Sequence, residues 1–429
     1  MLGDHPLPAL LSFLGQLLNG LVPLTTYGAT HLVTRRRGVA LFAAFLVALP
    51  FFFPAYYATW GRMTQVTAVL ILPMALAFTW LLLRGARNWY RAWPLVALFG
   101  AGLFLVHFRV FFLYLPFAAL VWLVSRGRRG RWLALAAGLA LLLVAPHMLR
   151  LLGYVRPQTV GGTIPGYNDF PIGYVTVGWE RVFLMIAALA AVLLLVAMLG
   201  RRSWTPLPLL LLGWVLLVGA LLSVDRLGLP GTDLVNLNSS YIVAFVPLAL
   251  FLAIMIGRAW RWLSQRHRLL DALLLLAAGA SLTAALLFGL RQQVTILNEA
   301  TILAWAPDMP GLAWLDDNLP DEATIAVNSW RWLGQTWAGG DGGAWIVPLT
   351  GRNSTTPPAD YIYSAPLARQ VRQFNEEAAA RSDWSDPAAA AWLKEQGVSH
   401  IYVGAKGGFF EPADLARNPA LQQLYSCLL

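Results

Sequence analysis

Apolar positions along this chain fall in long uninterrupted runs, unlike the alternation of a half-buried strand or the stripe of a surface helix. Ten runs stand out, at about 8–33, 38–54, 64–83, 94–108, 110–124, 132–152, 181–199, 205–223, 239–257 and 269–290. A helix rises ~1.5 Å per residue, so about 20 residues cross ~30 Å of hydrocarbon. The fourth and fifth runs are too short for that, because 15 residues rise only about 22 Å. The stretch 94–124 is therefore expected to form a short hairpin, its tip at His107-Phe108-Arg109 below the membrane surface.

After Arg291 the pattern changes. Short helices are expected at Gly311–Asn318, Pro366–Arg381, Pro387–Gln396 and Glu411–Ala416, and strands at Ala323–Val327 and Val398–Val403. Asp386 is placed to cap the helix that Pro387 begins, with Gly397 just past its end. Strands alternating with helices read as a small α/β domain. The expected fold is an α-helical polytopic membrane protein of about ten transmembrane segments (1–290) with a small C-terminal α/β extracytoplasmic domain (291–429). The domain stops at Leu424-Tyr425-Ser426-Cys427, where a further strand is expected, so its C-terminus is expected to be incomplete.

Charge fixes the expected sidedness. Basic clusters follow every odd-numbered run: Arg35–Arg37, Arg84/Arg87/Arg91, Arg126/Arg128/Arg129/Arg131, Arg201/Arg202 and Arg258/Arg261/Arg266/Arg268. The positive-inside rule puts all five on the cytoplasmic side of an inner membrane and the tail outside. Residue 1 then also faces outward, yet no secretory signal precedes it. An odd number of missing upstream helices fits this, so the chain is expected to be N-terminally truncated.

Composition agrees: 58% hydrophobic and 12% charged residues, with mean hydropathy +0.61. The net charge of +10 does not point to nucleic acid. Residues 1–290 hold 22 basic and 6 acidic residues, residues 291–429 hold 9 and 15, and the cations sit in short loops between apolar runs. The one cysteine, Cys427, rules out an internal disulfide and a cysteine metal site. Walker, His-Glu-x-x-His and Gly-x-Ser-x-Gly motifs are missing.

Candidate chemistry centres on Ala55–Gln65, AYYATWGRMTQ, where Tyr56, Tyr57 and Trp60 crowd around Arg62 with Gln65 beside it. Amphipathic aromatics suit a membrane–water boundary, and an arginine there suits a lipid phosphate. His107 and Arg109 either join Arg62 in a basic pocket open to the outside or reach toward the headgroups. Outer loops 153–180 and 224–238 carry Asp169, Glu180, Asp225 and Asp233, most simply read as solvated loop charge. In the tail, Gly339-Gly340-Asp341-Gly342-Gly343 lacks the Lys-Ser/Thr of a phosphate loop and the spacing of a dinucleotide fingerprint. Asp341 and Trp345, among further tryptophans, suit either carbohydrate contact or docking onto headgroups.

Several stretches together resemble large prokaryotic membrane proteins of the GT-C glycosyltransferase type. These include the group labelled as related to 6-pyruvoyl-tetrahydropterin synthase. The stretches are GQLLNGLVPLTTY (Gly15–Tyr27), YYATWGRMTQ (Tyr56–Gln65), HFR (His107–Arg109), DGGAWIVPLTGR (Asp341–Arg352), Pro357-Pro358 and HIYVG (His400–Gly404). The resemblance implies transfer of a sugar from a polyprenyl-phosphate donor at the outer membrane face, in cell-envelope glycan assembly. It implies Arg62 with His107 or Arg109 on the phosphate, Tyr56, Tyr57 and Trp60 as walls, and Asp341 with the tail tryptophans toward the acceptor. The acidic residue that such enzymes carry in a first outer loop has no counterpart here, so the catalytic residue stays unassigned. A divalent metal has a place in an intact enzyme of this type, without visible ligands in this stretch. The alternative is a non-catalytic membrane protein whose outer domain binds glycan or a partner. A transporter fits less well, for want of intramembrane charges and repeated halves.

Overall fold

The computed structural model describes residues 7–48, 61–125, 129–152, 206–223, 237–264, 268–294, 303–333 and 336–427, with five positions between 189 and 196. Backbone packing divides the chain into two compact units. One is Met1–Leu149 with Pro165–Leu297, and the other is Asn298–Leu429 with Arg150–Ile164.

Among its described residues the first unit is helical: α1 (Leu7–Thr34), α2 (Arg37–Ala48), α3 (Met63–Arg84), α4 (Trp93–Val124), α5 (Gly130–Leu152), α6 (Pro206–Leu222), α7 (Leu237–Ser264) and α8 (Arg268–Val294). Among the described residues, four stretches are long and apolar enough, by length and composition alone, to cross a membrane: Met63–Arg84, Asn88–Val124, Gly130–Arg150 and Val243–Trp262. Arg37–Ala48, Pro206–Leu222 and Leu275–Arg291 are apolar but shorter. The expected ten spans are thus seen only in part, and most of 181–199 lies outside the described residues. Helices suit hydrocarbon because each satisfies its own backbone hydrogen bonds. The outer surface agrees: Leu141, Leu142 and Leu276 are 71%, 71% and 72% exposed, which suits lipid and not water.

Helix α3 packs most extensively on α4 and α1. Helix α4 is not straight. Its backbone leaves helical geometry at His107 (φ −158°, ψ 92°), and the two arms double back. Phe99 stacks on Phe78 at 5.4 Å, while Tyr114 shares a buried hydrogen bond with Thr79 next door. Leu82 packs with Val96 and Ala97, while Arg84 Nη1 donates to the Val124 carbonyl at 3.3 Å. In a straight helix Val96 and Val124 would stand about 42 Å apart. The hairpin read from run length is therefore present, with His107 at its bend. Phe104 and Phe111 meet edge-on across it at 5.4 Å.

Arginine in the basic loop closes the base of this hairpin. Arg129, at φ 64°, donates Nη1 to the Leu82 carbonyl at 2.9 Å and Nη2 to that of Ala86 at 3.2 Å. A cation there satisfies carbonyls that the end of α3 leaves open and opposes the helix dipole.

The second unit contains α9 (Asp308–Asn318), β1 (Thr324–Val327), β2 (Ser329–Leu333), β3 (Thr336–Gly339), α10 (Ile346–Thr350), β4 (Asn353–Ser354), α11 (Ala365–Ala380), α12 (Pro387–Glu395), β5 (His400–Tyr402) and α13 (Pro412–Arg417). Strands β4, β1 and β5 form a parallel sheet in that order. Alternation along β1 sorts the core onto its two faces. Ile325 and Val327 pack with Leu312 and Leu315 of α9 and Ile346 of α10. Ala326 lies among Phe374 of α11, Trp392 and Leu393 of α12, and Trp384. Asp386 caps α12 as expected, accepting from the Ala388 N–H at 2.8 Å, and Gly397 takes φ 75° just beyond. The buried Arg352 guanidinium ties off α9, donating to the carbonyls of Asp316 (2.7 Å) and Leu319 (2.9 Å) and pairing with the Asp316 carboxylate.

The stretch read only as Trp- and Gly-rich holds a ribbon, β2 antiparallel to β3, with Ser329 opposite Gly339 and Arg331 opposite Trp337. Its two faces differ. Arg331 lies over the Trp337 ring at 5.4 Å and pairs with Glu376 at 3.2 Å. Trp330 and Trp332, at alternate positions, are exposed. Ser329, Trp330, Arg331 and Trp332 do alternate polar and apolar, but the apolar positions of this strand face outward instead of into a core.

Candidate functional site

Tyr56, Tyr57 and Trp60 lie outside the described residues, as do loops 153–188 and 224–236 with their carboxylates. Arg62 is the residue from which α3 starts. Gly61 turns the chain at φ 67°, the Met63 N–H bonds back to the Gly61 carbonyl at 2.9 Å, and no side chain caps the helix. Gln65 follows three residues on, along the same face as Arg62. It is 2% exposed and its Nε2 has no hydrogen-bond partner. A buried amide donor without a partner costs about 1–3 kcal/mol, which a ligand acceptor would recover.

The bend of the hairpin supplies the other groups. The His107 ring stacks on Phe108 with centroids 6.3 Å apart, and its Nδ1 is buried without a hydrogen-bond partner. The Arg109 guanidinium lies 5.8 Å from the centroid of the same Phe108 ring. Both Arg62 and Arg109 act electrostatically on His107, so folding back brings a residue of the α3 N-terminus near two of the tip. The side chains brought near one another are two guanidiniums and an imidazole, with the Gln65 amide one turn into α3. Among the described residues of this unit no carboxylate joins them, Asp271 being the one acid there. A positively charged, donor-rich cluster at a helix N-terminus is complementary to an anion.

Among the described residues no three His, Cys, Asp or Glu side chains gather to hold a metal ion. These residues do not fit a divalent metal.

Asp341 and Trp345 belong to the second unit. Asp341 is 1% exposed and its carboxylate is surrounded by donors. The N–H groups of Gly404, Lys406 and Gly407 reach it at 2.6, 2.5 and 2.7 Å, and Asn328 Nδ2 at 3.1 Å. Asp341 itself sits at φ 58° and Gly342 at φ 79°, the left-handed geometry that the flanking glycines prepare. A second buried acid repeats the arrangement. Asp308 accepts from the N–H groups of Trp305 (2.6 Å) and Ala405 (2.8 Å) and from the Tyr402 hydroxyl (3.2 Å). Burial and the adjacent Asp308 charge push the Tyr402 phenol above its ordinary value. Together the two acids and Asn328, whose Oδ1 accepts the Phe410 N–H at 2.7 Å, pin the loop 404–410. Asp341 therefore has its acceptor sites engaged within the fold. Trp345 is half-buried against the α9–β1 core. Asp308 and Asn328 are absent from the sequence reading, because the loop they fasten, at Tyr402, Ala405 and Phe410, lies 82 to 97 residues away in sequence.

Among the solved structures, one that resembles the chain over most of its length illustrates the likeness. It is the oligosaccharyltransferase of Archaeoglobus fulgidus, in a crystal structure where an acceptor peptide containing the NVT sequon is tethered by a disulfide bond. The TM-score is 0.51 at 15% identity, covering 92% of this chain and 57% of that one. No protein-family model matches the sequence, and no curated protein matches it. At this identity the likeness shows the fold: a multi-pass helical membrane architecture like that of this oligosaccharyltransferase, with a small sheet-containing region at its C-terminus. The chain spans little more than half the length of that relative.

Proposed function

We propose that the chain is a membrane glycosyltransferase of the GT-C type, transferring sugar from a polyprenyl-phosphate donor at the outer face of the cytoplasmic membrane, with the C-terminal unit on that same side. The narrower likeness to the membrane proteins related to 6-pyruvoyl-tetrahydropterin synthase rests on the sequence motifs. The observation that carries the reading is the bend at His107, which sets Arg109 and His107 within electrostatic reach of Arg62 at the α3 N-terminus.

In this reading Arg62 and Arg109 hold the donor phosphate, as guanidiniums bind phosphate oxygens in forked pairs. Gln65 Nε2 and His107 donate to its remaining oxygens. As the bond from the sugar to the phosphate breaks, negative charge grows on the phosphate, and fixed donors stabilise that charge without rearranging. The sequence resemblance assigns Tyr56, Tyr57 and Trp60 as walls and Trp345 to the acceptor, while Asp341, with its oxygens engaged, acts through the loop it fastens. The nucleophile's base is unassigned.

The second reading is a membrane-anchored protein that binds lipid-linked glycan without turning it over.

The test is binding of a radiolabelled polyprenyl-phosphate hexose to the chain in lipid nanodiscs. Arg62→Ala and Arg109→Ala should each weaken binding at least tenfold, with membrane insertion unchanged and Arg331→Ala as the silent control. Unaltered binding in both variants removes the phosphate role. Release of free hexose or transfer to an added acceptor separates the enzyme from the binding protein.

A further inference from the structure

The second unit contains a groove that none of the chemistry above uses. It has a volume of about 470 Å³ and is lined by Val347, Pro357, Pro358, Asp360, Tyr361, Tyr363, Ser364 and Leu367. That size falls in the ~300–1,000 Å³ range of small-molecule sites. Its floor is rigid. Tyr361 is buried, and its hydroxyl both accepts the Trp337 N–H at 2.9 Å and donates to the Trp337 carbonyl at 2.8 Å. The ring therefore stays fixed and offers only its face and edge. Val347 and the two prolines continue that apolar surface.

The rim has a different character. The Tyr363 ring is 51% exposed, and Asp360 and Ser364 are exposed beside it. Ser364 stands at the N-cap of α11, where a serine hydroxyl ordinarily accepts from the first turn, yet its side chain makes no capping bond. Asp360 forms no ion pair among the described residues. The groove thus combines an open aromatic face, one carboxylate and one uncommitted hydroxyl.

We propose that this groove is a subsite for a neutral glycan. A sugar ring has an apolar C–H face that stacks on an aromatic side chain and hydroxyl groups around its edge. The Asp360 carboxylate accepts from two such hydroxyls, and Ser364 accepts from or donates to a third. No cation lines the groove, so phosphate, sulfate and uronic acids are unmatched and repelled by Asp360. The groove lies within the second unit, and its assignment does not depend on the phosphate reading.

The full chain in detergent tests it against three immobilised sets: neutral oligosaccharides of glucose, mannose, galactose and N-acetylglucosamine; uronic-acid and sulfated oligosaccharides; and proline-rich basic peptides. At least one oligosaccharide of the neutral set should be retained, with affinity reduced tenfold or more in both Tyr363→Ala and Asp360→Asn. Both side chains are exposed, so the variants should keep the wild-type circular dichroism and melting temperature. Arg62→Ala should bind the neutral set as wild type does, which keeps this result independent of the donor experiment. Retention of only acidic glycans or only peptides overturns the proposal. So does neutral-glycan binding that survives both substitutions, or no glycan binding at all.

Discussion

The indole N–H of Trp214 donates to the main-chain carbonyl of Leu113 at 2.7 Å, joining residues 101 positions apart in a buried site. Trp214 also meets Phe117 edge-on at 5.5 Å, so α6 braces the returning arm of the hairpin with one side chain. Trp214→Phe keeps the ring contact and removes the donor. Interhelical hydrogen bonds in membranes average ~0.6 kcal/mol and reach ~1.7 kcal/mol, and a loss in that range is expected from unfolding in mixed detergent micelles. Trp214→Ala should cost more, because it removes the ring as well.

The folding back of α4 sets a distance. Leu95 and Leu123 are both exposed and accept spin labels on a Cys427→Ser background. A straight helix would place them about 42 Å apart, whereas adjacent arms lie ~8–10 Å apart axis to axis. Pulsed electron resonance should therefore return a short distance. A peak near the straight-helix value would refute the hairpin.

Asp341→Asn replaces one carboxylate oxygen by an NH2 group that must face backbone donors. Hydrogen bonds to charged groups contribute ~1.5–3 kcal/mol each, so the substitution should destabilise the second unit by about 3 kcal/mol or more. Amide exchange at Gly404, Lys406 and Gly407 should rise first, since these N–H groups lose their acceptor. Gly404→Ala should give the same signature, because a Cβ there would collide with the Asp341 carbonyl and the Asp308 carboxylate. A carboxylate kept for ligand contact alone would leave this exchange unchanged.

Tyr402 gives a pH dependence with a definite sign. Its folded-state value is raised above the ordinary phenol value of 10.0 by burial and by Asp308. Unfolded chains then lose this proton before folded ones do, so stability is intact below pH 10 and falls as pH climbs beyond it. Melting temperatures followed upward from pH 9 should drop along this limb. Tyr402→Phe, which has no proton to lose, should start lower and show a shallower decline. An identical slope in the variant would assign the effect to another group.

Much of the membrane unit is legible in the sequence because each apolar run meets its own backbone needs. Asp386 and Gly397 are legible for the same local reason, since a cap is specified within four residues. The hairpin is legible through an interruption: His107 and Arg109 stand where an unbroken apolar helix would continue. Asp341 shows the limit. Glycines around an acid look like a loose turn, yet they form a tight left-handed corner whose partners at 328 and 404–407 are remote in sequence. The β2–β3 ribbon is hidden for another reason, as its tryptophans point to both faces. The three aromatics beside Arg62 fall outside the described residues, so the site is visible from its helix side.

An excursion that returns to its starting level leaves the parity of the trace unchanged. However deep the His107 bend reaches, the residues after Val124 emerge on the side where Trp93 went in. Lengthening or shortening the two arms would therefore shift the height of Arg109 relative to Arg62 while every later helix keeps its orientation. Depth of the basic cluster and direction of the later helices are set separately in such a design.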